Sequence, residues 1–290
     1  MVAGTTTLRA TTYTSLAMLA FAGNSIICRM ALRDAAIDPA TFTGIRLASG
    51  ALALLLIFAS AQRGSSVTAH GSWAAALMLF LYALCFSYAY ISLDAATGAL
   101  ILFGFVQATM IVMALAAGDR PRLAEWLGWL LAVSGLVWLL LPGAAAPAPL
   151  AALLMAMSGV AWGVYSIQGR GQTDPLASTS SNFLRSLVLV AILCLLTMSG
   201  MQITRTGVLL AVLSGALTSG VGYVIWYAAL NYLSSIQAAL VQLSVPAIAA
   251  AGGVVLLAES LSSRLVIAGL LILGGICIAV TGKEKQHHST

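Results

Sequence analysis

Long runs of apolar residues recur along the whole chain, from about Thr11 to Thr281, with only short polar breaks between them. A helix needs roughly 20 apolar residues to cross the ~30 Å hydrocarbon core of a bilayer, and many of these runs are of that length. Only 7% of the 290 residues are charged, whereas a soluble domain carries about a quarter. A water-soluble fold is therefore excluded, and we expect the chain to lie within a membrane.

Nine polar breaks divide the chain into ten apolar segments, and we predict one transmembrane helix for each segment. A β-barrel would instead need alternating segments of about ten residues, which these continuous runs rich in Leu and Ala do not provide. The predicted fold class is therefore an all-α integral membrane protein with ten transmembrane helices. The breaks lie at residues 34–38, 62–70, 93–96, 118–122, 142–149, 169–174, 200–205, 231–234 and 259–263.

Basic residues are distributed unevenly between the two sets of predicted loops. If the N-terminus is cytoplasmic, the outside loops hold only Arg33, Arg205 and Arg264, and the other loop and terminal basic residues lie inside. Because cytoplasmic loops carry an excess of Lys and Arg, this distribution predicts that both termini are cytoplasmic. The basic residues form no patch, so no nucleic-acid partner is expected. The basic residues predicted to lie on the cytoplasmic side are Arg9, Arg63, Arg120, Arg122, Arg170, Lys283 and Lys285.

The chain also contains an internal repeat, which becomes visible when the sequence is shifted by 140 positions. The aligned pairs are Gly23 with Gly163, Ala99-Leu100 with Ala239-Leu240, Asp119 with Glu259, and Gly135 with Gly275. They suggest two halves, residues 1–145 and 146–290, each with five helices. An odd number of helices places the second half upside down in the membrane relative to the first. Inverted repeats around a central site are a recurring plan of secondary transporters.

The residues of the second half resemble a known family. The stretch ALNYLSSIQAALVQLSVPAIAAAGGVVLLAESLSSRLVIAGLLILGGICIAV contains a small-residue helix with a proline, a short acidic turn and a glycine-rich last helix. It is similar to the EamA domain of the drug/metabolite transporter superfamily. The first half repeats the pattern with GFVQATMIVMALAAGDRPRLAEWLGW, although Val106 stands where the repeat would place the counterpart of Pro246. Overall, the chain looks most like the YddG-type aromatic amino acid exporters of bacteria.

The resemblance implies a ten-helix bundle around a central cavity, and export of small amphipathic metabolites across the bacterial inner membrane without a cofactor. Polar side chains within spans are expected to face such a cavity. Aromatic rings there suit an aromatic substrate, while neutral amides and hydroxyls suit a zwitterionic head. Lone glutamines can alternatively hydrogen-bond between helices. The predicted substrate-binding residues are Asn24, Tyr82, Phe86, Trp162, Tyr165, Tyr223, Trp226 and Gln242.

Five further residues are predicted to act in gating or as hinges. Pro246 and the pair Gly252-Gly253 interrupt the ninth span, where a proline removes a backbone hydrogen bond and glycines allow neighbouring helices to approach. Arg46 and Arg185 align when the sequence is shifted by 139 positions, and each follows a proline at the start of its helix. They could pair in a gate, meet a substrate carboxylate, or snorkel to the interface.

The sequence therefore predicts a secondary transporter that exports aromatic amino acids by alternating access. Facilitated diffusion or exchange is expected, because no Asp, Glu or His lies in the middle of a span to relay protons. One alternative is export of amphipathic metabolites or cationic drugs such as methyl viologen, since aromatic cages attract cations. An alternative of a different class is a non-transporting membrane scaffold or a lipid-active membrane enzyme. We expect no catalytic residue, metal or cofactor, and a monomer whose partners are its small-molecule substrate and the bilayer.

Overall fold

The structure, a computed structural model, describes residues 2–61, 67–118, 123–143, 146–169, 172–233 and 241–284. These residues form helices, and the one β-type contact among them is an isolated bridge between Ile37 and Ile203. The helices are α1 Val2–Arg33, α2 Pro39–Ser60, α3 Trp73–Ala89, α4 Ala95–Ala116, α5 Leu123–Leu140, α6 Pro149–Gln168, α7 Pro175–Thr197, α8 Arg205–Leu230, α9 Ser244–Leu257 and α10 Ser263–Glu284.

Several helices begin where the sequence places a capping residue and a proline. The carboxylates of Asp38 and Asp174 each accept a hydrogen bond from the backbone N–H three residues further on, at the start of α2 and α7. Pro39 and Pro175 follow at the first helical position, where the missing N–H has no partner to lose. The two corresponding helices of the predicted repeat thus begin with the same local chemistry.

Seven helices within the described ranges are long and apolar enough to cross a membrane. Three apolar helices are shorter, namely Trp73–Ala89, Ser244–Leu257 and the segment Ser263–Ala279 of α10. At about 1.5 Å per residue, 14 to 17 residues reach less than the full hydrocarbon thickness. The molecule is therefore a multi-pass helical membrane protein, and a crossing by all ten helices stays a prediction.

The helix ends collect at two opposite ends of the bundle. The C-termini of α1, α3 and α9 meet at one end, which we call the packed end. The C-termini of α6 and α8 and the N-terminus of α7 surround a cavity at the other end, which we call the cavity end. At this second end, Arg185 of α7 also holds the segment before α3 by donating a hydrogen bond to the His70 carbonyl oxygen.

Helices α5 and α10 pack closely against each other through glycine. A methyl group added to Gly128 would lie 2.5 Å from the Gly275 carbonyl oxygen, and one added to Gly275 would lie 2.5 Å from the Gly128 carbonyl oxygen. Both distances are far below van der Waals contact, and the neighbouring atoms belong to the backbone. Small residues that let backbones approach are a general device of helix packing in membranes.

Replacing Gly275 by alanine is therefore expected to destabilise the protein by about 1–3 kcal/mol, because the two backbones must separate. The matched control is Gly274→Ala, since a methyl group at Gly274 has no neighbour within 4 Å. That control should be neutral or slightly stabilising, because alanine favours a helix more than glycine does. Thermal unfolding in detergent measures both variants. Equal melting temperatures for the two would show that the contact between α5 and α10 is loose.

Helix α8 contains a π-helical segment, Leu213–Val221, that brings it against α2. A methyl group on Gly215 in this segment would overlap the Arg46 carbonyl oxygen and the Ser49 hydroxyl of α2. The π-helical turns and the absent side chain at Gly215 thus allow an unusually close approach of the two helices. The approach places the side chain of Arg46 inside the bundle, next to the polar residues of α8. Such π-helical turns occur frequently at functional sites.

Candidate substrate cavity

A cavity of about 450 Å³ opens at the cavity end of the bundle. Its walls come from α4, α6 and α8, with contributions from the start of α7 and from Gln242 just before α9. Four aromatic side chains among the predicted substrate-binding residues line it, namely Trp162, Tyr165, Tyr223 and Trp226. A volume of this order is typical of sites for small organic ligands. We call this space the open cavity.

A second, smaller space lies deeper in the bundle and has a volume of about 20 Å³. Asn24, Tyr82 and Phe86 line this deep pocket, and Trp162 and Tyr223 line both the deep pocket and the open cavity. The eight predicted substrate-binding residues are therefore divided between two adjoining spaces, with the Trp162 and Tyr223 rings between them. The volume of the deep pocket is enough for about one water-sized group.

The aromatic rings of the site form a continuous series. The ring centroid of Trp162 lies 4.8 Å from that of Tyr82, 5.1 Å from that of Tyr223 and 5.5 Å from that of Tyr165. Phe86 continues the series towards the packed end, with its centroid 5.5 Å from that of Tyr82. These separations fall within the range of favourable aromatic pairs. Trp162 is thus the ring at which the contacts of three helices, α3, α6 and α8, converge.

A polar network connects the deep pocket to α1, α2, α3 and α8. The Tyr82 hydroxyl accepts one hydrogen bond from the Asn24 amide at 3.4 Å and another from Arg46 Nη2 at 3.0 Å. The Asn24 carbonyl oxygen accepts hydrogen bonds from Ser214 at 2.7 Å and from Thr218 at 3.2 Å. Asn24 is therefore held firmly by protein partners. Its carbonyl oxygen already accepts hydrogen bonds from two hydroxyl groups.

Arg46 is the residue whose predicted environment the structure changes most. Its exposed fraction is 2%, so the side chain does not snorkel to the membrane interface. Its Nε donates to the Ser219 hydroxyl at 3.3 Å, and its guanidinium carbon lies 5.1 Å from the Tyr82 ring centroid and 5.0 Å from the Phe86 ring centroid. Within the described ranges, Arg46 forms no ion pair with an acidic side chain. Of the three roles considered for Arg46, snorkelling to the interface is therefore excluded, and contact with a substrate carboxylate or a role in gating stays a prediction.

Arg185, the predicted counterpart of Arg46, occupies a different environment. Its Nη1 donates hydrogen bonds to the His70 carbonyl oxygen at 2.7 Å and to the Ser181 hydroxyl at 2.6 Å. Its guanidinium carbon lies 6.0 Å from the Trp73 ring centroid. Arg185 therefore tethers the segment before α3 at the cavity end. The two arginines that align in sequence do not have equivalent surroundings.

The packed end is closed by a group of charges that we call the ionic latch, formed by Arg29, Asp94 and Glu259. Arg29 Nε lies 3.1 Å from a Glu259 carboxylate oxygen, and Arg29 Nη2 lies 3.4 Å from Asp94. The second oxygen of Glu259 accepts the Ala95 N–H at 2.9 Å, at the start of α4. Arg29 Nη1 donates to the carbonyl oxygens of residues 90 and 91. The latch thus ties α1 to the turns before α4 and after α9.

Sequence reasoning placed Glu259 and Asp94 in polar turns and overlooked Arg29. Arg29 is the one charged residue within the apolar run of the first span, and that isolation is the signal that could have found it. Its two acidic partners are distant in sequence, at 65 and 230 positions. Asp119, the predicted repeat counterpart of Glu259, lies outside the described residues.

The predicted bend at Pro246 lies close to an irregularity in the chain. Helix α9 begins at Ser244, so Pro246 lies in its first turn. Leu243, three residues before the proline, forms a turn directly after helical residues 241–242, and a proline disturbs a helix on this side because its ring clashes with the carbonyl group of residue i−4. Gly252 and Gly253 allow close packing. A methyl group added to Gly252 would overlap the Ile26 side chain, and one added to Gly253 would lie 2.6 Å from a Glu259 carboxylate oxygen. A hinge role for these residues stays a prediction.

A family model matches this chain twice, over residues 8–141 and over residues 149–281. The chain belongs to the EamA-like transporter family. This EamA-like protein is therefore a membrane transporter. The two matches together cover most of the chain. They do not define a boundary near residue 145, so the division into two halves at that point stays a prediction.

Two further comparisons found proteins that are similar to this chain. An uncharacterized protein of Pseudomonas aeruginosa is 52% identical over 265 residues, which cover 91% of this chain and 92% of that protein. A solved crystal structure has a TM-score of 0.65 at 22% identity and covers 95% of this chain and 99% of the other. At that level of identity, the similarity concerns the fold alone. The substrate of this EamA-like transporter has to be argued from its own residues.

Proposed function

We propose that this EamA-like transporter exports aromatic amino acids across the bacterial inner membrane. The observation that carries the proposal is the open cavity of about 450 Å³, which Trp162, Tyr165, Tyr223 and Trp226 line together. Stacked or edge-on contacts with such rings favour an aromatic side chain by about 0.5–1.5 kcal/mol per pair beyond burial. Gln242 at the rim adds an amide that can bond the polar head of an amino acid.

The proposed mechanism is alternating access in a bundle of ten membrane-crossing helices built from two inverted halves. The helix contacts support this arrangement: α5 packs on α10, α4 on α9, and α2 on α7. Likewise, the contact of α3 with α6 has a counterpart in the contact of α1 with α8. These are the pairings that a two-fold relation between residues 1–145 and 146–290 requires. In the structure, the open cavity is accessible at the cavity end, while the ionic latch connects the helices at the packed end.

The orientation follows from the predicted cytoplasmic termini. With that orientation, the C-termini of α6 and α8 lie on the cytoplasmic side, so the open cavity faces the cytoplasm. This is the side on which an exporter loads its substrate. Release then requires the packed end to open, and the carboxylates nearest that step are Asp94 and Glu259, both engaged with Arg29. With those carboxylates paired, the proposed cycle is facilitated diffusion or exchange by a monomer.

Transport by purified protein in lipid vesicles tests the proposal. Labelled phenylalanine, tryptophan, threonine and methyl viologen are compared, each with and without an imposed pH gradient. Phenylalanine and tryptophan should move at least about tenfold faster than threonine, because threonine has no ring to contact the aromatic walls. Vesicles without protein give the background rate for each compound.

Each other outcome selects a different function. Equal rates for threonine and phenylalanine would exclude the aromatic assignment, and preference for methyl viologen would favour export of cationic drugs. Absence of transport for every compound would favour a scaffold or a lipid-active enzyme. A rate that depends strictly on the pH gradient would contradict facilitated diffusion.

A further inference from the structure

We infer that Arg46 forms a carboxylate-binding site at the inner end of the cavity, so that the transporter recognises aromatic substrates by a negative charge. This inference rests on the proposed function, because it concerns the same cavity. It also restricts that function to compounds that carry a carboxylate, whether or not they carry an amine.

The positive charge of Arg46 lies deep in the bundle, and no acidic side chain among the described residues pairs with it. Two of its nitrogens have hydrogen-bond partners in Tyr82 and Ser219, which are both neutral. Its third nitrogen, Nη1, is buried and has no hydrogen-bond partner among the described residues. A buried charge without partner is costly in a membrane, and such residues commonly mark a substrate or ion pathway. An anion at this point would supply the missing partner.

Other unused donors lie in the same place. The Tyr223 hydroxyl is also buried without a hydrogen-bond partner in the described part of the chain, and Tyr223 lines the deep pocket together with Tyr82 and Ser219. The Tyr82 hydroxyl accepts two hydrogen bonds, from Asn24 and from Arg46, so its own proton is free to be donated elsewhere. A guanidinium and two phenols that lack acceptors form a suitable set of donors for a carboxylate.

The two adjoining spaces provide a route to these donors. Tyr82, Ser219 and Phe86, which surround the Arg46 guanidinium, are all walls of the deep pocket. The deep pocket has a volume of about 20 Å³, so it can take one end of a carboxylate but no ring. Trp162 and Tyr223 separate it from the open cavity. A bound substrate would therefore place its ring in the open cavity and its carboxylate towards Arg46.

The same arrangement disfavours a cationic substrate. The faces of Tyr82 and Phe86, which could attract an organic cation, are already occupied by the guanidinium of Arg46. Among the residues that the structure describes, those that line the deep pocket and the open cavity include no Asp or Glu. The carbonyl oxygen of Asn24, which could accept a hydrogen bond from an amine, is engaged with Ser214 and Thr218. The described residues of the site thus offer no specific contact to an amine, although they do not exclude a substrate that carries one.

Binding of three related ligands, each with a phenyl ring on a two-carbon chain, to the purified protein tests this inference. The ligands are 3-phenylpropionate, which is negative, 3-phenylpropionamide, which is neutral, and phenethylamine, which is positive. Calorimetry in detergent at neutral pH should show 3-phenylpropionate binding at least about tenfold more tightly than the amide, because hydrogen bonds to a charged group are involved. Phenethylamine should bind most weakly. Equal binding of the three by the unaltered protein would overturn the inference.

The variant Arg46→Met then identifies the residue responsible. It should reduce 3-phenylpropionate binding to the level of the amide and leave amide binding within about twofold, which also shows that the cavity remains folded. Should Arg46→Met fail to fold, Arg46→Lys replaces it: lysine keeps the charge but loses the planar pair of donors, so carboxylate binding should fall partway. Unchanged discrimination in a folded Met variant would refute a role for Arg46.

The outcome separates this inference from the proposed function. Transport of phenylalanine together with equal binding of the three ligands would leave aromatic export standing and reject the carboxylate site. Binding of 3-phenylpropionate without any phenylalanine transport would reject amino acid export and support the site. Competition of 3-phenylpropionate against labelled phenylalanine in vesicles, lost in Arg46→Met, would support both.

Discussion

Arg29→Met is expected to open the packed end of the bundle. The substitution leaves the Glu259 carboxylate, whose side chain is 7% exposed, without its cation. Removing one partner of a buried ion pair costs about 3–5 kcal/mol, which corresponds to a shift of at least about a hundredfold away from the state in which the packed end is closed. Cys28 is fully buried next to Arg29 and reports this change. In a protein that keeps only this cysteine, a membrane-impermeant maleimide should react with Cys28 far faster in the variant.

Two controls accompany this measurement. Asp34→Asn breaks an ion pair with Arg33 whose side chains are 66% and 36% exposed, and it should leave Cys28 protected because exposed pairs contribute about 1 kcal/mol or less. The double variant Arg29→Met with Glu259→Met should restore much of the protection, since an apolar pair replaces a buried charge. Equal labelling of Cys28 in the single variant and the unaltered protein would contradict the latch.

Trp162→Ala is expected to reduce phenylalanine transport about tenfold or more. The ring lines both the open cavity and the deep pocket, and its removal takes away one aromatic wall and the surface that separates the two spaces. The loss combines about 0.5–1.5 kcal/mol of ring contact with the apolar area that the substrate no longer buries. Initial rates of labelled phenylalanine uptake into vesicles, divided by the amount of inserted protein, measure the effect.

The matched control is Trp126→Ala, because Trp126 lies on α5 with 46% of its surface exposed and lines neither space. It should transport phenylalanine at nearly the unaltered rate. Thermal unfolding of both variants shows whether Trp162→Ala acts through the cavity or through stability. A normal rate in Trp162→Ala would exclude this ring as a substrate contact.

Much of the fold follows from the sequence because hydropathy and capping residues act locally. The helix ends near Asp38, Asp174 and the linker at residues 142–149 coincide with the predicted breaks. The eight predicted substrate-binding residues line two adjoining spaces, and their contact with a substrate stays a prediction. Whether three shorter helices also cross the membrane depends on lengths and tilts that composition does not determine.

The environments of Arg29 and Arg46 could not be predicted in the same way. Arg46 and Arg185 align in the repeat, yet one is enclosed by rings and the other holds a loop, because the rotation of each helix depends on its packing partners. For Arg46, the partner is the π-helical segment of α8, which no periodic pattern in the sequence reveals. The role of Arg29 becomes visible only when the fold places its two acidic partners beside it.

The enclosure of Arg46 also has a consequence for the biogenesis of the protein. During synthesis α2 enters the bilayer before α8 exists, and an arginine within a span opposes insertion by about 2.5–3.5 kcal/mol. The hydrogen bond to Ser219 and the close approach at Gly215 become available only when the second half has been made. The first half made alone should therefore be a poorly inserted, short-lived product. Maturation of the two halves is coupled, however similar their sequences are.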